Sequence, residues 1–156
     1  MSIENVRKYL KKYDLDDKVI ELADETGTVE QAAAALGCEG KQIAKTMAFN
    51  VLDKAVLVLL AGDTKVDNSK FKAFFGVKAK MLTAEELDNL VGHKMGGVCP
   101  FDVKEDVKVY LDESLKRFEI VYPAAGTDHS AVKLTIPELE KYSNHTQWVD
   151  ICKSNI

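Results

Sequence analysis

The sequence predicts a mixed α/β fold: a single domain over residues 1–156, built on a curled, mostly antiparallel mixed sheet with helices packed outside. Three observations predict it. The chain has 156 residues, 46% apolar and 29% charged, the size and balance of one globular unit with a substantial core. Its apolar, strand-like runs follow one another at hairpin distances and do not alternate with helices as regular βαβ units. Its helical stretches are short and carry their own start and stop residues. No linker, internal repeat or low-complexity tract interrupts it.

The elements follow in order. Ile3 to Lys12 reads as an amphipathic helix with Val6 and Leu10 on one face. Lys18 to Leu22 reads as a strand. Thr28 is a good N-cap for a helix from Val29 to Leu36, and Gly37 ends it. Ile43 to Leu52 and Ala55 to Ala61 are two apolar strands with a hairpin turn expected at Asp53-Lys54. Gly62-Asp63 marks a turn. Asn68 or Ser69 can cap a short helix whose Phe71, Phe74 and Phe75 have core-like spacing, stopped at Gly76. Thr83-Ala84-Glu85-Glu86 is a capping box opening a helix to about Leu90. Val107 to Leu111, Glu119 to Tyr122 and Ala131 to Leu134 are further strands. Ile136 to Lys141 is a last helix with Pro137 at its start, and Trp148 to Ile151 a closing strand.

Composition excludes several classes. No apolar run approaches the roughly 20 residues that span a bilayer, and the N-terminus has no apolar signal core, so a cytoplasmic protein without a membrane partner is expected. Cys38, Cys99 and Cys152 are odd in number and widely spaced, which fits a reducing compartment and three small buried hydrophobes. Net charge is −4, yet residues 41–80 hold eight lysines and three aspartates, a local +5 that leaves −9 for the remainder. That segment is either a solvated lysine-rich face or a polyanion-docking face on an acidic body.

Two segments carry the candidate chemistry. Lys45 sits in the apolar strand Ile43–Phe49, on the face of Ile43 and Met47. Its ammonium there either meets an anion or snorkels to solvent from an edge strand. Gly96-Gly97-Val98-Cys99-Pro100 is a G-x-x-x-P loop. Its free N–H groups can hold a carbonyl oxygen or oxyanion, or its glycines merely allow a tight turn. Asp128-His129-Ser130 is not read as a hydrolase triad, because neighbours on one turn do not aim at each other and no G-x-S-x-G elbow occurs. His93, His129 and His145 lack metal-ligand spacing, and neither a Walker loop nor G-x-G-x-x-G is present, so no metal and no cofactor is expected. Asp16-Asp17 and Glu85-Glu86 read as solvated, and no helix-turn-helix spacing points to duplex DNA.

Taken in order, Ile43-Ala44-Lys45-Thr46, Leu60-Ala61-Gly62-Asp63-Thr64-Lys65-Val66-Asp67, Gly96-Gly97-Val98-Cys99-Pro100-Phe101, Ile120–Gly126 and Leu134–Leu139 resemble the YbaK/EbsC family over nearly the whole chain. That family has the editing-domain fold of bacterial prolyl-tRNA synthetases and their free-standing relatives. The resemblance implies a trans-editing deacylase that hydrolyses Cys-tRNA(Pro) or Ala-tRNA(Pro), with prolyl-tRNA synthetase as a second candidate partner. It makes Lys45 and Gly96 the expected catalytic residues, Lys45 on the terminal nucleotide and Gly96 with Gly97 orienting the ester carbonyl. Thr46, Gly62, Asp63, Lys65, Gly97, Val98, Cys99, Pro100, Gly126, Asp128 and His129 are the expected substrate-binding set. It also implies that the protein supplies no strong nucleophile, so that water, or a cysteinyl substrate's own thiol, attacks in a lyase-type release. The alternative is a non-catalytic module that binds aminoacyl-tRNA or a synthetase. The chain departs from relatives with a cysteine preference at Gly126-Thr127-Asp128-His129, where those relatives carry Gly-Lys/Arg-Arg-Gly, and it has Cys99 where a small residue such as Ser is common.

Overall fold

A computed structural model describes residues 2–23, 28–94 and 96–153. Its centre is the hairpin of β2 (Ile43–Val51) and β3 (Lys54–Ala61), antiparallel from Ala44↔Ala61 to Val51↔Lys54. β3 is buried on both faces, which is why its apolar residues run on without a polar alternate. Ala55, Leu57, Leu59 and Ala61 enter one core, and Val56, Val58 and Leu60 the other. The hairpin turns at Leu52-Asp53, both at positive φ (51° and 66°), one residue earlier than expected from Asp53-Lys54. The Asn50 side-chain oxygen fixes it by accepting from the Asp53 N–H at 3.0 Å.

β4 (Lys108–Asp112), β5 (Ile120–Pro123), β7 (Leu134–Thr135) and β8 (Gln147–Val149) complete a six-stranded mixed sheet in the order β7-β5-β2-β3-β4-β8. The β2–β3 and β5–β7 ladders are antiparallel, whereas β2–β5, β3–β4 and β4–β8 are parallel. The parallel pairs join segments that return after long excursions, so no local turn signal announces them. β1 (Val19–Glu21) and β6 (Ser130–Val132) form a small antiparallel sheet, tied to the large one where Ala124, just beyond β5, bridges to Ala131. The single strand expected over Ala131–Leu134 is therefore two: β6 and β7 part at Lys133, whose N–H donates to the Lys18 carbonyl at 3.1 Å.

Helices cover both faces. α1 (Ser2–Lys11) buries Val6 and Leu10, and α5 (Ile136–Tyr142) buries Leu139, in the first core. α2 (Val29–Leu36) opens at the Thr28 N-cap and closes on Gly37, as read from sequence, and Gln31 adds the return bond of a capping box. α3 (Asn68–Phe75) roofs the second core, with Phe71 4.7 Å from Phe49 and 4.5 Å from Phe75 between ring centroids. Its cap is Asp67, not Asn68 or Ser69; the Asp67 carboxylate accepts from the Ser69 and Lys70 N–H groups. α4 (Ala84–Glu86) starts on the Thr83 capping box and widens at once into a π-helical turn, Leu87–Val91, ended by Gly92. Cys99 and Cys152 are buried as expected, while Cys38 is partly exposed. No helix among the described residues is long and apolar enough to cross a membrane.

Candidate active site at a gap in the sheet

β2 is paired along its length on one side only. The Asn50 N–H donates to the Lys80 carbonyl at 2.8 Å, and the Ala48 carbonyl accepts from the Leu82 N–H at 3.0 Å, both on the edge away from β3. Strand groups alternate with a period of two, so Ala44, Thr46, Ala48 and Asn50 all turn their main-chain groups to that edge. β5 reaches only Ile43 and Ala44 there, because Ala124 leaves to meet Ala131. Residues 80–82 cover only the other end, around the Phe49–Met81 bridge. Thr46 lies between the two.

A cavity of about 330 Å3 opens on this interruption. Ala44, Lys45, Thr46 and Ala48 form one wall, Thr28, Val29 and Ala32 of α2 another. Met81, Leu82 and Leu87 close one end, Tyr122, Ala124, Ser130 and Ala131 the other, and Gly96 and Val98 enter from the glycine loop. Apart from Lys45 the lining is apolar or hydroxyl-bearing; among the described residues it includes no carboxylate, imidazole or thiol. The Thr46 hydroxyl is buried without a partner.

Lys45 lines the cavity and donates its ammonium to the Thr64 carbonyl. Burial lowers its pKa below the usual lysine value, an effect that Lys65 adds to and that Cys152, Asp63 and Glu30 oppose. The turn that supplies Thr64 needs Gly62: a Cβ there would stand 2.1 Å from the Gly40 carbonyl oxygen and 2.9 Å from Val29 Cγ1. Gly62 thus lets α2 close against the Lys45 end of the site.

The glycine loop is held from behind. Gly96 adopts φ +89°, a conformation that favours glycine. A Cβ on Gly97 would lie 2.5–2.6 Å from the Gly126 and Thr127 backbone, so the two late glycine segments read from sequence are pressed together here. The Gly97 N–H already donates to the Lys94 carbonyl at 3.0 Å, which leaves Gly96 and Val98 as the loop's contribution to the cavity. Pro100 and Cys99 are buried. The Cys99 Sγ lies 3.6 Å from His93 Nε2, which itself donates to the Phe101 carbonyl at 2.7 Å. Burial pushes the Cys99 thiol up to about 12, so it is no thiolate nucleophile.

The structure thus brings Lys45, Thr46, Gly96 and Val98 to the cavity, while Gly62, Gly97 and Gly126 shape it from the backbone. The remaining predicted residues lie outside the lining. Asp63 is engaged by Arg117 at 2.5 and 3.1 Å. Lys65 is exposed, and Asp128 pairs with His129 at 2.5 Å with both half-exposed. Sequence reasoning missed the α2 wall, Leu82, Leu87, Tyr122, Ala124, Ser130 and Ala131. Tyr122 and Ala124 fall within a segment that carried the family resemblance, Thr28 reads from sequence only as a helix cap and Ser130 only as part of a rejected triad, and the apolar residues give no local signal of a site until the fold gathers them.

The model of the aminoacyl-tRNA editing domain matches residues 23–142. The uncharacterized Bacillus subtilis (strain 168) protein YwhH is 43% identical over 98% of both chains. The proline–tRNA ligase of Bacillus cytotoxicus is 33% identical over 79% of this chain, which there spans 22% of the enzyme. The crystal structure of a candidate trans-editing enzyme for prolyl tRNA synthetase superposes with a TM-score of 0.88, at 31% identity, covering 98% of each chain. The hypothetical protein APE2540 shares the fold with a TM-score of 0.84 at 23% identity over 96% of this chain and 99% of that one.

Proposed function

This chain belongs to the aminoacyl-tRNA editing domain family, and from that premise we propose that residues 1–156 act as one trans-editing hydrolase in the cytoplasm. It cleaves the ester between a wrong amino acid and the 3′ adenosine of a tRNA, with Cys-tRNA(Pro) or Ala-tRNA(Pro) as substrate. The observation that carries this reading is the cavity itself. Its walls are mostly apolar, with Ala44, Ala48, Ala124 and Ala131 among them to admit an aminoacyl side chain, and Lys45 is its cation.

Among the described residues the lining holds hydroxyls but no carboxylate or imidazole to activate one as a nucleophile, which favours a rate drawn from positioning and electrostatic stabilisation. Lys45 holds the ribose or phosphate of the terminal nucleotide, and the loop at Gly96 faces the ester carbonyl. Water adds to the carbonyl carbon, the bond to the ribose oxygen breaks, and that oxygen takes a proton as the free amino acid leaves. In a cysteinyl substrate the thiol sulfur replaces water, its proton passes to the ribose oxygen, and the amino acid leaves as a cyclic thioester. Prolyl-tRNA synthetase is the proposed second partner.

The test is deacylation of tRNA(Pro) charged with cysteine, alanine, serine or proline, by wild type and Lys45→Ala. One wrong amino acid is expected to be cleared and proline spared, with the variant slower by about a hundredfold or more and its melting temperature close to wild type. The absence of a carboxylate, imidazole or thiol from the lining among the described residues also favours a second reading, a module that binds aminoacyl-tRNA without turnover. Tight binding of mischarged tRNA with deacylation at the background rate would establish that reading instead.

A further inference from the structure

The interruption beside β2 leaves one residue without a neighbour strand. Lys45 and Met47 turn their main-chain groups toward β3, opposite Leu60 and Val58. Thr46 turns its N–H and C=O the other way, past the end of β5 at Ala44 and short of the Ala48–Leu82 bond. No main-chain partner for Thr46 exists on that edge among the described residues. Thr46 is partly buried and lines the cavity. Main-chain groups taken from bulk water are almost always paired, so an unpaired donor and acceptor side by side on a cavity wall mark a place for a ligand.

We propose that the Thr46 main chain receives the aminoacyl unit of the substrate, which completes the missing rung of the sheet as a single L-residue. This rests on the editing reading for the identity of the ligand. An α-aminoacyl ester carries a donor, its α-ammonium, and an acceptor, its carbonyl, on either side of one carbon, the arrangement of a strand residue. The ammonium donates to the Thr46 carbonyl and the ester carbonyl accepts from the Thr46 N–H, as paired strand residues exchange both bonds. Residues opposite each other on neighbouring strands put their side chains on one face. Thr46 shares its face with Ala44 and Ala48, so the side chain of an L-aminoacyl group enters the apolar part of the cavity. Inverting the α-carbon turns that side chain away. The site is therefore selective for a free α-amino group and for L configuration before it measures side-chain size.

Amide hydrogen exchange on the full chain, followed by NMR, tests this with 3′-(L-alanylamino)-3′-deoxyadenosine, whose amide resists hydrolysis. In the free protein the Thr46 N–H is expected to exchange at least about tenfold faster than those of Lys45 and Met47. The L-alanyl compound is expected to slow it by about tenfold or more, and the D-alanyl compound to leave it unchanged. A Thr46 N–H as protected as its neighbours in the free protein, or one that the L-alanyl compound does not protect at millimolar concentration, would overturn the proposal. Clearance of Ala-tRNA(Pro) without Thr46 protection sinks this inference and spares the hydrolase reading. Protection of Thr46 without clearance of any charged tRNA does the reverse.

Discussion

Gly97 has no room for a side chain, because the Gly126–Thr127 backbone occupies the place a Cβ would take. Gly97→Ala is expected to cost about 1–3 kcal/mol in a denaturant melt. It should also slow deacylation, since the same loop presents Gly96 and Val98 to the cavity. His93 makes a different prediction. It is 1% exposed, its Nε2 is committed to the Phe101 carbonyl, and its Nδ1 has no partner. Burial holds its pKa below the ordinary 6.5, so below pH 6.5 the unfolded chain binds the proton more readily than the folded one. Stability contributed by neutral His93 is present above pH 6.5 and is lost as pH falls toward the folded value. Melting temperatures between pH 7.5 and 5 should show this decline, and His93→Gln should flatten it. The sequence marked both glycine segments and His93, but not that Gly97 faces Gly126 or that His93 faces Cys99, because those contacts join residues from different parts of the chain.

At the scale of elements, the β2–β3 hairpin carries a cost at its tip. Leu52 is 74% exposed at φ +51°, a conformation that disfavours an L-residue with a bulky side chain. Leu52→Asn is expected to raise stability by about 1 kcal/mol, read as a higher melting temperature. Deacylation should not change, because no residue of the turn lines the cavity. The capping boxes at Thr28, Thr83 and Thr135 lock three helix starts through bonds that span three residues; the first two starts are legible from the threonine caps and the third from Pro137. The Asp67 cap was missed because Asn68 and Ser69 beside it are equally good caps by residue type, and only the backbone angles chose among them.

At the scale of the molecule, the lysines of residues 41–80 spread over several elements. Lys72, Lys78 and Lys80 are exposed, and Lys80 adjoins Met81 at the cavity wall. Charged tRNA is expected to bind with a salt dependence to which each of these lysines in contact contributes a slope of about 0.7–0.9. Replacing all three by alanine should flatten a plot of log affinity against log salt. Catalysis at saturating tRNA should be less affected than affinity, since none of the three lines the cavity.

The order of strands and helices, the β2–β3 hairpin and the two segments that meet at the site were determined by the sequence itself. Each depends on apolar periodicity, a cap or a glycine within a few residues along the chain. Only the tertiary structure decided the parallel pairings, the departure of β5 toward β6 at Ala124, and the resulting gap beside Thr46. Pairing partners for a strand edge are selected by burial and closure over tens of residues, and no local pattern around Thr46 records that its edge is left open.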